Sequence, residues 1–153
     1  MMAELRPFTG FAFAVEIMRP GEANPLVGGA FAECDGLEMT QDVKTIRDGA
    51  DQARMIRSGG AVSYANLALK RGVTSDFGLW TWFTDAIADP FLRADAEVIL
   101  LAPDGGEKAR FLLSRCLPVK LKAPALNATS SSVAIEELQI AYETLTLKPG
   151  KAA

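Results

Sequence analysis

What most constrains the fold is the run from Leu67 to Trp82. There a strand-like segment, Leu67-Ala68-Leu69, reaches a Lys70-Arg71-Gly72 turn, and a helix opens almost at once. Thr74, Ser75 and Asp76 are each competent to cap that helix. Phe77, Trp80, Phe83 and Ile87 recur at helical spacing as one apolar stripe. Asp89-Pro90 ends it, because a residue before proline is pushed out of helical geometry. A strand that turns directly into a helix with two tryptophans has to bury large aromatic area. The stripe is therefore read as the helix packing core, with Trp80 beside Phe77 and Phe83 under a sheet and Trp82 at its edge. The competing reading of the tryptophans is a ligand platform.

The remaining periodicity is mostly two. Phe11, Phe13, Val15 and Ile17 alternate with Ala12, Ala14 and Glu16, a half-buried strand. Ala30 to Glu33 reads as a second strand, Asp35-Gly36 as a tight turn or bulge, and Leu37 to Ile46 as a longer strand. Val62 to Lys70 is a strand whose apolar phase slips between Tyr64 and Leu67, the mark of a bulge or of burial on both faces. Glu97 to Ala102 and Arg110 to Lys122 flank Pro103-Asp104-Gly105-Gly106, a hairpin signal. In the second arm Phe111, Leu113, Leu117, Val119 and Leu121 share one parity. Ser130 to Leu147 fits two descriptions: Ile135, Leu138, Tyr142 and Leu145 have helical spacing, while three short alternating phases suit strands. Six or seven strands, one helix and frequent turns predict a mainly β chain. Its two antiparallel sheets pack as a sandwich or barrel with one flanking α-helix. A single domain spans 1–147, and 148–153 is a flexible tail.

The chemistry of the chain is sparse. Among its 153 residues there is no histidine, which removes the usual general base near neutral pH and the commonest zinc ligand. No G-x-S-x-G or phosphate-binding loop occurs, and Glu136 and Glu137, adjacent on a strand, face opposite sides. No catalytic residue, metal site or cofactor is expected. Cys34 and Cys116 are read as buried thiols. The apolar run Val98 to Ala102 is too short to cross a bilayer, and the first residues have no signal-peptide pattern. The expectation is synthesis in the cytoplasm with no membrane anchor of its own. A net charge of −3 gives no bulk attraction to nucleic acid. Two charged features remain. Arg47, Asp48, Asp51, Arg54 and Arg57 alternate in sign along 47–60, either a solvated loop or a polar interface with another copy. Lys70-Arg71 with Lys120 and Lys122 could form a basic strip on one sheet face, and with Lys44 these are candidate lumen or interface charges.

Several blocks, in order over about residues 8–147, resemble the inner tube protein family of contractile tails, found in phage tails and extracellular contractile injection systems. They are Phe11-Ala-Phe-Ala-Val-Glu-Ile17, Gly29 to Glu38, Ile46-Arg-Asp-Gly-Ala-Asp51, Tyr64 to Gly72, Asp76 to Phe83, Leu117 to Lys120 with Pro124 to Ala128, and Val133 to Leu138. The resemblance decides Ser130 to Leu147 in favour of strand. It implies six-membered rings that stack into a rigid tube, with 47–60 packing between subunits and rings. Implied partners are further copies of the chain, a sheath protein, baseplate or spike and tube-terminator proteins, and an effector or DNA in the lumen. Relatives commonly carry Leu-Pro-Gly where this chain has Arg57-Ser-Gly-Gly60. That departure suits a specialised copy such as a baseplate tube-initiator. Outside the family, the rivals are a monomeric β-barrel binding module and, last, an enzyme.

Overall fold

The computed structural model describes residues 12–150 apart from 23, 26, 48, 50–53, 73–76 and 130–133. Two antiparallel sheets share one long strand. The first contains β1 (Ala12–Met18), β2 (Val27–Ala30) and β7 (Ala94–Leu101), together with the first half of β8 (Glu107–Lys122) and β10 (Thr144–Pro149). The second contains the other half of β8, β9 (Ile135–Ala141), β6 (Leu67–Gly72) and β3 (Glu33–Asp35). Between β3 and β6 the chain makes a separate two-stranded ladder, β4 (Met39–Arg47) with β5 (Met55–Tyr64). The one helix among the described residues, α1 (Gly78–Ala88), packs on β8.

Alternation builds the core. Val15, Ile17, Val98 and Leu113 point inward from the first sheet, and Leu67, Leu69, Leu138 and Ile140 from the second. Leu79 and Trp82 enter from α1. Each is essentially excluded from solvent, worth roughly 1.5–3 kcal/mol per aliphatic side chain. The 103–106 hairpin forms as its residues demand. Gly105 takes φ +86°, Gly105 N–H donates to the Ala102 carbonyl at 2.8 Å, and the Asp104 carboxylate accepts from Gly106 N–H at 2.8 Å.

Strand β8 carries three register shifts, one beside the 103–106 turn and two where it passes from the first sheet to the second. Pairing with β7 jumps between Ala94 and Ala96, opposite Arg115, which sits at φ +51°; pairing with β9 jumps between Pro118 and Lys120. Each extra residue reverses the inward parity, so Leu113, Cys116 and Pro118 are buried while Val119 is exposed. The single parity expected from Phe111 to Leu121 is therefore corrected. The segment 135–149 is strand, turned back at Tyr142-Glu143. The last strand also passes the expected boundary of the tail, since Lys148 and Pro149 pair with Arg110 and Ala109. The slip seen between Tyr64 and Leu67 marks the place where the chain leaves the β4–β5 ladder for the second sheet.

Candidate functional site

The Lys70-Arg71-Gly72 segment is not a turn but the end of β6, fully paired with β9. Arg71 points into the core and its Nε donates to the Glu136 carboxylate at 2.5 Å, with the two residues 7% and 5% exposed. Arg71 also lies 5.4 Å from the centre of the Phe31 ring. A buried arginine survives only with such partners.

The expected helix core is also corrected. Residues 73–76, which hold the three expected caps, lie outside the described residues; the N-cap position is Phe77, without a side-chain cap. The face turned inward is Leu79, Trp82 and Ala86. Phe77, Trp80 and Ile87 are 65%, 41% and 73% exposed, and Phe83 is half-buried. The two tryptophans have exchanged the expected roles. The reason is that α1 is apolar on almost every side, so helical spacing fits two faces equally well, and the sheet packing selects the one led by Trp82. Arg19, 2.9 Å from Asp85, ties the helix to the end of β1. Phe77 and Trp80 instead line an open apolar groove of about 380 Å³ with Ala123, Pro124 and Leu126.

The charged stretch 47–60 is largely a hairpin rather than a loop. Arg47 ends β4, Arg57 lies within β5 and Arg54 precedes it, whereas Asp48 and Asp51 lie outside the described residues. Gly60 falls in a bulge opposite Asp42, between the Gln41–Val62 and Val43–Gly59 pairs, and a Cβ on Gly59 would come within 2.4 Å of the Gln41 amide. The ladder is exposed on both faces and carries large apolar side chains on each, among them Met39, Val43, Ile46, Met55, Ile56 and Val62. Tyr142 anchors its base. Tyr142 Oη donates to the Gly36 carbonyl at 2.8 Å, and its ring stacks at a tilt 5.5 Å from Tyr64. Burial raises the Tyr142 pKa first of all.

Lys70, Lys120 and Lys122 do share the solvent face of the second sheet, while Lys44 lies on the separate hairpin. They do not make a basic strip. Across four strands the register sets Glu33 beside Lys70, Lys70 beside Glu137, and Glu137 beside Lys122. In the next row Asp35 and Lys120 occupy the two ends. Opposite charges facing one another across strands stabilise the sheet modestly, and the wall they make is polar and nearly neutral. These carboxylates were missed because register, which pairs them, is not visible in a single strand's pattern.

Among the described residues no group of acidic, Cys or His side chains could hold a metal, and no helix is long and apolar enough to cross a membrane. Cys34 and Cys116 are both free thiols; desolvation pushes them up to about 11 and about 12, which keeps them protonated and unreactive at neutral pH. What the surface offers is contact area: an unsupported hairpin, an apolar helix groove and a balanced polar sheet face.

Residues 9–146 match the family described as T4-like virus tail tube protein gp19. Among solved structures, the chain is similar to one in the six-fold symmetrised baseplate of the anti-feeding prophage. The TM-score is 0.81 and the identity 25%, over 97% of this chain and 100% of that one. It is similar to a chain of the sheath-tube complex of PVC, an extracellular contractile injection system in the extended state. There the TM-score is 0.77 at 20% identity, over 94% and 92% of the two chains. Hcp1 from Flavobacterium johnsoniae shares the fold at TM-score 0.56 and 15% identity, over 92% and 97%. No curated protein matches the sequence.

Proposed function

Because the chain belongs to the T4-like virus tail tube protein family, we propose that it is a structural protein without catalytic activity. Its copies close into six-membered rings that stack into the inner tube of a contractile injection system or phage tail. The observation that carries this reading is the β4–β5 hairpin. Two strands of nine and ten residues stand outside both sheets with their apolar side chains in water. A lone hairpin is marginal at best in water, and long uncovered strands invite aggregation. Both difficulties disappear when neighbouring copies cover the hairpin. Stacking head to tail is a heterologous contact, which produces an open filament.

In this reading the tube is a rigid conduit inside a sheath, founded on a baseplate or spike and closed by a terminator. An effector or DNA passes along it. Sedimentation of the purified chain tests the reading: it predicts species of six 16.4 kDa chains and larger multiples. A monomer at every concentration contradicts it.

One observation favours a second reading, the baseplate tube-initiator. The similar baseplate chain scores 0.81 at 25% identity, against 0.77 and 20% for the sheath-tube chain. An initiator forms single rings that do not stack with each other, whereas a main tube protein forms stacks of many rings, and micrographs separate the two.

A further inference from the structure

The second sheet ends in two edges that no strand among the described residues covers. At one end β3 pairs only with β6. At the other, β8 beyond Cys116 pairs only with β9, because the β7 ladder stops at the Ala94–Cys116 pair. Pro118, in that stretch, has no N–H to donate and belongs at a strand edge. An uncovered edge is a template for a further strand.

The two edges differ in sign. Ala32 to Glu38 holds Glu33, Asp35 and Glu38 and no basic residue, whereas Leu117 to Ala128 holds Lys120 and Lys122 and no acidic one. Adjacent strands offset part of this difference. Lys70 lies 3.7 Å from Glu33, and Glu137 is the cross-strand partner of Lys122. The next row is not offset, because Asp35 stands opposite Ala68 and Lys120 opposite Gln139. Asp35 and Lys120 are both exposed. From edge to edge the first row reads Lys122, Glu137, Lys70, Glu33. A further copy prolongs that alternation only when its β8 edge follows the β3 edge. Strand direction agrees, since three antiparallel steps lead from β8 to β3 and a fourth brings β3 to a second β8. Like edges brought together would set acid against acid or lysine against lysine, which destabilises a pair.

We infer that the acidic β3 edge and the basic β8 edge are complementary surfaces that seat a second copy of this chain head to tail. Asp35 and Lys120 are the residues that select this order over a symmetric pairing. The inference rests on the ring-forming reading and names what orients the copies within it. A head-to-tail contact leaves every added copy with one free edge of each sign, as a closing ring requires, while a like-edge contact ends at two copies. Charges on an edge ordinarily prevent pairing; here each edge repels its own kind and admits the other.

The test uses full-length Asp35→Lys and Lys120→Glu, whose new charges meet only Ala68 and Gln139 across the ladder of their own chain. Each variant alone sets like charges across the junction between copies and should raise the concentration needed for rings about tenfold. An equimolar mixture should form rings at the concentration that the unmodified chain needs, because alternating copies again bring opposite charges together. Asp35→Asn keeps the side-chain oxygen that accepts from Gly36 N–H at 2.8 Å and removes only the charge. It should raise the required concentration about threefold with the monomer's melting temperature unchanged. Rings from each variant alone at the original concentration, or a mixture that assembles no better than its components, overturn this inference and leave the ring-forming reading standing. No rings from the unmodified chain overturn both.

Discussion

Glu136 is the residue at which a surface-like sequence conceals an interior role. Its neighbour Glu137 lies on the solvent face of β9, yet Glu136 is buried against Arg71 directly across the ladder. Removing one member of a buried pair strands the other, at a cost of about 3–5 kcal/mol. Glu136→Leu should therefore lower unfolding stability by that amount in chemical denaturation. The double variant Arg71→Met with Glu136→Leu should recover most of it, because neither charge is then stranded. Cys116 gives a pH signature. Burial favours its neutral form, lifting the folded value from an ordinary 9.0 to about 12. For a thiol this sign means that its share of stability is complete below about pH 9 and is lost as pH rises through 12. Alkaline denaturation should be shallower in Cys116→Ala than in the unmodified chain over that window.

At the scale of elements, strands were legible where one face is wet and the other dry. The β1 positions Val15 and Ile17 and the 103–106 turn follow from alternation and turn chemistry, whereas β9 and β10 suit helical spacing as well and are settled as strand by resemblance. Where a segment is apolar on all sides the pattern has no direction. That is why α1 was oriented by Trp80 in the sequence and by Trp82 in the fold. The bulges at Arg115 and Val119, which turn β8 from one sheet into the other, leave no trace in hydropathy. Trp82→Ala should cost about 3–5 kcal/mol as a core truncation, measured by denaturation of the monomer. Trp80→Ala should stay within about 0.5 kcal/mol there, as surface changes do. The hairpin base offers a second check. Gly36 has φ +106°, and a Cβ there would meet the Asn66 carbonyl oxygen at 2.0 Å. Gly36→Ala must displace the strand link that Tyr142 holds. It should destabilise the fold by about 1–3 kcal/mol, with faster hydrogen exchange along β4 and β5.

For the whole molecule, the monomer is an incomplete object. One face of the second sheet is charge-balanced and polar, the helix face is apolar and open, and nineteen strand residues stand clear of both sheets. The sequence could carry this far only through resemblance. A surface that waits for a neighbour has the same composition as a surface that merely tolerates water. The charged stretch 47–60 and the exposed aromatics acquire meaning from geometry, which separates them from the core, and from the family match over residues 9–146. Negative-stain electron microscopy of the purified, full-length chain tests the central claim most directly. The expected field shows rings of one diameter with six-fold symmetry and an open centre, singly or in stacks of uniform width. A field of dispersed monomers at high protein concentration, unchanged in the presence of the cognate sheath and baseplate, would contradict it.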